Sequence, residues 1–174
     1  KILDCMGKPE LYRWYGRYGY EECQRYMNDA AIFGTRVHAV IERLMGFDTG
    51  PDGSACKRSW FLGGLAFQWL QEVGAEVIHV ENQVIDPQRS YGGTLDAVIK
   101  VDEQLLVVDW KTSSKIGNTM PLQLAAYANA YNVQNGLTWD TGIDNGVIVR
   151  LEKNPSKSPQ IEVKSYPSDK DTRT

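Results

Sequence analysis

Residues 92–114 read GGTLDAVIKVDEQLLVVDWKTSS. Two apolar runs, TLDAVIKV and QLLVVDWK, alternate as strands do and meet at Asp102-Glu103, which predicts a hairpin. Asp96, Asp109 and Lys111 interrupt these runs. Charges inside an apolar run cost free energy unless they are paired or bind something. With the turn centred on Asp102-Glu103, Val101 faces Gln104 and Asp96 faces Asp109. Opposed residues on antiparallel strands hold their Cβ atoms roughly 4.5–5.5 Å apart, so the two carboxylates repel unless a proton or cation lies between them. Lys111, two residues beyond Asp109, projects from the same face. The opposite face carries Leu95, Ala97, Ile99, Leu106, Val108 and Trp110 and reads as core.

Two carboxylates and an ammonium at one end of a hairpin suit Mg²⁺ or Mn²⁺. Both are hard ions that keep waters and also bind phosphate oxygens. A nearby lysine can position or deprotonate a water and offset charge on a phosphate. A D-x-K triplet alone reads equally as a salt-bridged surface strand, so its surroundings matter. Gly92-Gly93 lets backbone or ligand approach closely. Gln123 and Tyr127 stand at i, i+4 on a predicted helix, as do His38 and Glu42 on an earlier one. Histidine is a metal ligand as well as a titrating group; Glu42 reads as the i, i+4 partner of His38.

Outward from this hairpin, the first half is helical. PELYRWYGRYGYEECQRYM opens on a proline suited to a first turn, with Gly16 and Gly19 placed to split it. NDAAIFGTRVHAVIERLMGF follows, with Asn28 or Asp29 as an N-cap, an apolar stripe at Val37, Ile41 and Leu44, and an end near Gly46. DTGPDGSACKR is a loop, and SWFLGGLAFQWLQEVG is a helix closed by Gly74. The period then drops to two in EVIHVENQVI: Ile78, Val80 and Val84 alternate with His79, Glu81 and Gln83. His79 reads as a surface residue. DPQRSYGG is a turn, TMPLQLAAYANAYNVQ a helix, and GVIVRLEK and IEVKSYP are strands. Thr112 and Ser113 are suited to satisfying backbone groups after the second hairpin strand. The tail SDKDTRT reads as disordered.

Length and composition agree with one domain. The chain has 174 residues, 42% hydrophobic and 24% charged, and no apolar run reaches the roughly 18 residues of a membrane span. No signal peptide is visible; the sequence begins at Lys1 and not at Met, which leaves open a trimmed N-terminus and targeting signals lost with it. A net charge of −3 argues neither for nor against nucleic acid, because carboxylates can hold the cations that meet phosphate. Cys5, Cys23 and Cys56 are odd in number and scattered, which suits free thiols in a reducing compartment.

FGTRVHAVIE, VENQVI, GGTLDAVI, VVDWKTS and QLAAYA occur in the order found in PD-(D/E)XK nucleases of the RecB-like type, and the chain resembles that family from about Trp14 to about Tyr131. The group includes phage and recombination exonucleases and the mitochondrial genome-maintenance exonuclease. The resemblance implies a mixed α/β, restriction-endonuclease-like fold: a central mixed sheet flanked by helices, with helices over residues 9–74, sheet core over 76–166 and a tail over 167–174. It implies Asp96 and Asp109 as acidic metal ligands, the Trp110 carbonyl completing the metal's shell while its indole enters the core, and Lys111 as the catalytic lysine. It further implies His38 as the histidine reaching the metal and Glu81 as the preceding strand acid. Gln123 and Tyr127 would match a Q-x-x-x-Y helix that lines the site and touches the DNA backbone. Some relatives hold an iron–sulfur cluster with late cysteines; nothing after Cys56 is a cysteine, so that cluster cannot be built.

LYRWYGRYGYEECQRYM interleaves tyrosines and Trp14 with Arg13, Arg17 and Arg25. Single-strand binders combine stacking rings with basic side chains, although such rings also serve to cover a core. The resulting expectation is a Mg²⁺- or Mn²⁺-dependent DNase, an exonuclease on DNA ends or single strands, contacting DNA through Gln123, Tyr127, Arg13, Arg17 and Trp14. A protein partner in replication or recombination and a place in DNA repair go with it, in the cytoplasm of a bacterial or phage-infected cell or in an organelle. The rivals are a catalytically silent nucleic-acid-binding module and a phage accessory protein whose acids bind a stabilising cation.

Overall fold

The computed structural model describes residues 9–47, 55–138 and 141–167. Cys5, most of the expected loop after Phe47 and the tail after Pro167 lie outside these residues. Three helices come first: α1 (Pro9–Tyr18), α2 (Tyr20–Leu44) and α3 (Lys57–Glu72). Then come β1 (Glu76–Asp86), β2 (Tyr91–Val101), β3 (Gln104–Lys111), α4 (Met120–Gln134), β4 (Asn145–Leu151) and β5 (Ile161–Pro167).

The five strands form one sheet in chain order. All neighbours are antiparallel except β3 and β4, which are parallel and joined through α4. A parallel pair needs such a crossover, whereas hairpins close in two residues. The result is the mixed, helix-flanked sheet expected.

Helices cover both faces. Val37 and Ile41 of α2 and Leu62, Ala66 and Leu70 of α3 pack with Ala97, Ile99, Val108, Trp110, Val147, Val149 and Leu151. Leu124, Ala130 and Tyr131 of α4 pack with Val84, Leu95, Val98, Val107 and Ile148. The face that carries the acids is therefore no solvent face, a correction to the one-sided core read from the sequence. Leu95 and Ala97 also fall on different sides, although they are two residues apart. Regular alternation fails between them, at Asp96.

The helix boundaries have local causes. Gly19 sits at φ 81 and separates α1 from α2. The N-cap expected at Asn28 or Asp29 is not used, because α2 runs through both. Its length lets one helix carry Tyr26 at one end and His38 and Glu42 near the other. Gly63 makes α2 and α3 approach closely: a Cβ there would lie 2.4 Å from Val40 Cγ1. Gly74 at φ 65 closes α3 with the paired bonds Gly74 N–H to Gln71 O and Ala75 N–H to Leu70 O, a Schellman ending. The turn read over 86–93 is shorter than expected. Gly92 and Gly93 pair with Ile85 and Val84, and buried Asp86 accepts from the Arg89 backbone N–H (3.0 Å), Arg89 Nη1 (2.8 Å) and Asn129 Nδ2 (2.8 Å). Among the described residues no helix is long and apolar enough to cross a membrane.

The β2–β3 hairpin closes on Asp102 at φ 46 and Glu103 at φ 69. Two positive φ values define the tight turn that Asn-Gly fits with least strain. Replacing Asp102-Glu103 by Asn-Gly should raise stability by about 0.5–1 kcal/mol. A urea unfolding curve reads this directly, and an unchanged or lowered midpoint would contradict it.

Candidate active site

The β2–β3 register is the one the sequence implies: Val101 faces Gln104 and Ala97 faces Val108. The ladder stops there. One step further, where Asp96 would face Asp109, Asp96 Oδ2 accepts the Trp110 backbone N–H at 2.7 Å. A side-chain carboxylate thus takes the place of a ladder carbonyl, and the buried N–H stays satisfied.

On the other flank, Val80 faces Ala97 and Asn82 faces Leu95, so the register sets Glu81 opposite Asp96. Glu81 has φ 47, a strained conformation for a strand glutamate that costs on the order of 1–3 kcal/mol. The β1–β2 register therefore sets Glu81 opposite Asp96, and Asp109 stands on β3 one residue past the last position paired with β2, Val108.

α2 delivers His38 to these acids. Its Nε2 lies 3.0 Å from the Trp110 carbonyl. A carbonyl only accepts, so Nε2 carries the proton and Nδ1 keeps its lone pair. Nδ1 lies 3.8 Å from Asp96 Oδ1, beyond hydrogen-bond range. Single ligand atoms of His38, Glu81 and Asp96 all lie within 4.8 Å of one another. Asp109 is outside that triad. Its carboxylate is only 3% exposed and lies 2.7 Å from Lys111 Nζ. Lys111 Nζ lies 2.7 Å from each oxygen, donating to Oδ1 and ion-paired with the buried Oδ2. The Trp110 indole is buried, edge-on to Trp69 at 6.0 Å, and its carbonyl, expected to face a metal, here serves His38.

The electrostatics follow from burial and like charge. Burial raises Asp109 to about 6, helped by Asp96 and opposed chiefly by Lys111. Asp96 is raised by burial against Lys111 and the Trp110 N–H. Glu81 is raised by burial and by Asp96. His38 is lowered by burial, which favours neutral imidazole. Glu42 is pushed up to about 7 by burial, then by Glu81 and Asp96. The sequence reading of Glu42 as a simple partner of His38 therefore missed its main neighbours, which become visible only once β1 and β2 are set beside α2.

The remaining expected residues have contacts of their own. Gln123 Nε2 donates to Tyr127 Oη at 2.8 Å. The Tyr127 ring covers Gly93, where a Cβ would lie 2.7 Å from Cε1, so the second glycine of GGTLD makes room for the ring. Ser113 Oγ donates to the Lys115 carbonyl. His79 is exposed, with its ring 5.8 Å from that of Tyr131. Arg13, Trp14 and Arg17 do not join the acids; they line a separate groove between α1 and α2.

Arg150 is a residue the sequence reading overlooked. It pairs with Lys111 across β3 and β4. It is 7% exposed and donates to Glu162 at 2.7 Å and Glu152 at 3.0 Å, with Nη1 3.4 Å from the Ser113 carbonyl. It thus anchors the segment that leaves Lys111. Its signal in VIVRLEK was a lone arginine inside an apolar strand.

Residues 11–173 match the family model of the PD-(D/E)XK nuclease superfamily. The chain is 31% identical over 140 residues to mitochondrial genome maintenance exonuclease 1 of Xenopus tropicalis, a match that covers 73% of this chain and 38% of that protein. It spans well under half of that relative's length. The crystal structure of SSO0001 aligns with a TM-score of 0.43 at 16% identity, over 92% of this chain and 62% of the other.

The Asp109 value gives a test of the site's burial. Its carboxyl stands at about 6, above the ordinary aspartate value of 3.8. A raised carboxyl pKa stabilises the fold while the group is protonated, fully below about pH 4, and that contribution is lost as pH rises through about 6. In EDTA, Asp109→Asn should therefore gain stability relative to the native chain between those limits. Urea unfolding of both proteins across the window checks this; a difference that stays flat with pH would show that burial does not control Asp109.

Proposed function

Because the chain belongs to the PD-(D/E)XK nuclease superfamily, we propose that it hydrolyses phosphodiester bonds of DNA with Mg²⁺ or Mn²⁺, as an exonuclease acting at ends or on single strands. The observation that carries the metal reading is the triad of donors from His38, Glu81 and Asp96, whose ligand atoms all lie within 4.8 Å of one another. Four acids, Glu42, Glu81, Asp96 and Asp109, influence one another there with Lys111 as the nearby ammonium. Such an excess of negative charge calls for a cation, and carboxylate oxygens with one imidazole suit a hard divalent ion.

Asp96, Asp109, Glu81 and His38 Nδ1 would hold the ion, and the Trp110 carbonyl keeps a second lone pair for it. When bound, such an ion polarises the scissile phosphate and stabilises charge on the leaving oxygen. Lys111, fixed by Asp109, orients the attacking water and donates to a phosphate oxygen; as the new P–O bond forms and the old one breaks, the water gives a proton to solvent and the leaving oxygen takes one from solvent. His38 donates from Nε2 to Trp110 and so keeps Nδ1 directed at the acids. Gln123 and Tyr127 touch the DNA backbone, while Arg13, Arg17 and Trp14 provide phosphate contacts and a stacking ring. The exonuclease mode draws support from the relative's name alone.

End-labelled single- and double-stranded DNA should be cut by the native protein with Mn²⁺ or Mg²⁺ and not with EDTA. Asp109→Asn and Lys111→Ala should each lose at least about 100-fold in rate, with label released from termini before internal fragments appear. No metal-dependent cleavage by the native chain, or equal cleavage by the variants, would overturn the proposal and favour a silent DNA-binding module. Internal fragments appearing first would overturn only the exonuclease mode.

A further inference from the structure

A groove of about 730 Å³ runs between α1 and α2, lined by Arg13, Trp14, Arg17, Tyr18, Tyr26 and Lys153 among others. Its lining holds three cations and no acid, in a chain whose net charge is −3. Trp14 gathers the rings: its centroid lies 6.5 Å from Tyr18 and 6.4 Å from Tyr26, and the Arg17 guanidinium lies over Tyr18 at 5.5 Å. Tyr18 and Tyr26 are 52% and 55% exposed, so these rings present faces to solvent and do not act as core. Cations tracking a backbone, interleaved with aromatic faces for bases, are the chemistry of sequence-tolerant single-strand binding.

The groove has a fixed relation to the acids. Lys153 follows β4 by two residues, at the end of the sheet where Lys111 ends the parallel strand β3. Arg58 holds that segment by donating to the Lys153 carbonyl at 3.1 Å and to the Glu152 carbonyl. The α2 residues of the groove, Tyr26, Met27 and Ala30, precede His38 on one continuous helix. At 1.5 Å per residue they lie about 12–18 Å from it along the axis. At roughly 3.4 Å per stacked nucleotide, about four to five nucleotides cover that axial distance.

We propose that this groove is a subsite for single-stranded nucleic acid, stacking bases on Trp14, Tyr18 and Tyr26 within about five nucleotides of the phosphate held at His38, Asp96 and Asp109. It rests on the nuclease reading for that phosphate, but its binding chemistry is its own. Affinity should therefore rise sharply with strand length once a strand reaches from the acids into the groove. The groove residues should matter only above that length.

The test is fluorescence anisotropy of labelled DNA and RNA strands of about 3 and about 12 nucleotides, with Ca²⁺ in place of Mg²⁺ and phosphorothioate linkages to slow cleavage, bracketing the spacing above. Trp14→Ala and Tyr26→Ala should each weaken 12-mer binding about 5- to 150-fold and 3-mer binding less than about twofold. Lys153→Ala, at an exposed position, should lower the slope of log affinity against log salt by roughly one ion's worth, which also covers the case in which Trp14→Ala fails to fold. Equal losses for both lengths, or an unchanged salt slope together with unchanged 12-mer affinity, would overturn the subsite. If the native protein cleaves DNA yet the variants bind 12-mers normally, the subsite fails and the nuclease reading stands. If the native protein binds no strand of either length, both fall.

Discussion

The hydrogen bond from the Trp110 backbone to Asp96 holds the candidate site together. At that point the β2–β3 ladder ends, and a buried N–H needs an acceptor. Asp96 supplies it with one oxygen and turns the other towards His38. The Trp110 carbonyl accepts from the same histidine. One peptide neighbourhood therefore fixes a carboxylate, an imidazole tautomer and the strand that carries Asp109 and Lys111. Removing the Asp96 side chain would leave the N–H without its partner as well as deleting an acid, so its structural and chemical roles cannot be separated by truncation alone.

Around that bond the fold concentrates like charge and then restrains it. β1 and β2 set Glu81 opposite Asp96, β3 brings Asp109 close enough to feel Asp96, and α2 adds Glu42. Burial lifts the carboxyl pKa values, so the acids resist ionising together. Lys111 answers Asp109, and Arg150 is occupied by Glu152 and Glu162 one strand away. Because Arg150 is already neutralised, it holds the backbone beyond Lys111 without lending its charge to the acids. Neutral His38 leaves the negative excess of the carboxylates uncompensated by its ring.

Much of this was legible in the sequence for definable reasons. The hairpin register followed from a two-residue turn, and a two-residue period admits only one pairing that keeps the apolar positions together. The helices α3 and α4 fall where the sequence was read as helical, with Gly74 marking the end of one. Other features needed tertiary context. Asn28 and Asp29 are good cap residues, yet α2 ignores them because packing outweighs a local cap preference. The period-two reading placed Leu95 with Ala97, and the irregularity at Asp96 separated them. Glu42 and Arg150 take their meaning from partners distant in sequence, which spacing rules cannot reach. Glu81 could be read as an acid on a strand, but its positive φ leaves no trace in residue type.

The parallel pairing of β3 with β4 has a consequence for how the molecule assembles. The hairpin of β2 and β3 closes through two residues, so its contacts are local and entropically cheap to form. The other edge of β3 can be covered only after the chain has traversed α4 and returned, which carries the larger loop-closure cost. Chain entropy thus favours an order in which Asp96 and Asp109 approach while Arg150 is still absent from beside Lys111. During that interval β3 offers an unpaired edge, and a nascent chain held there is vulnerable to intermolecular strand addition.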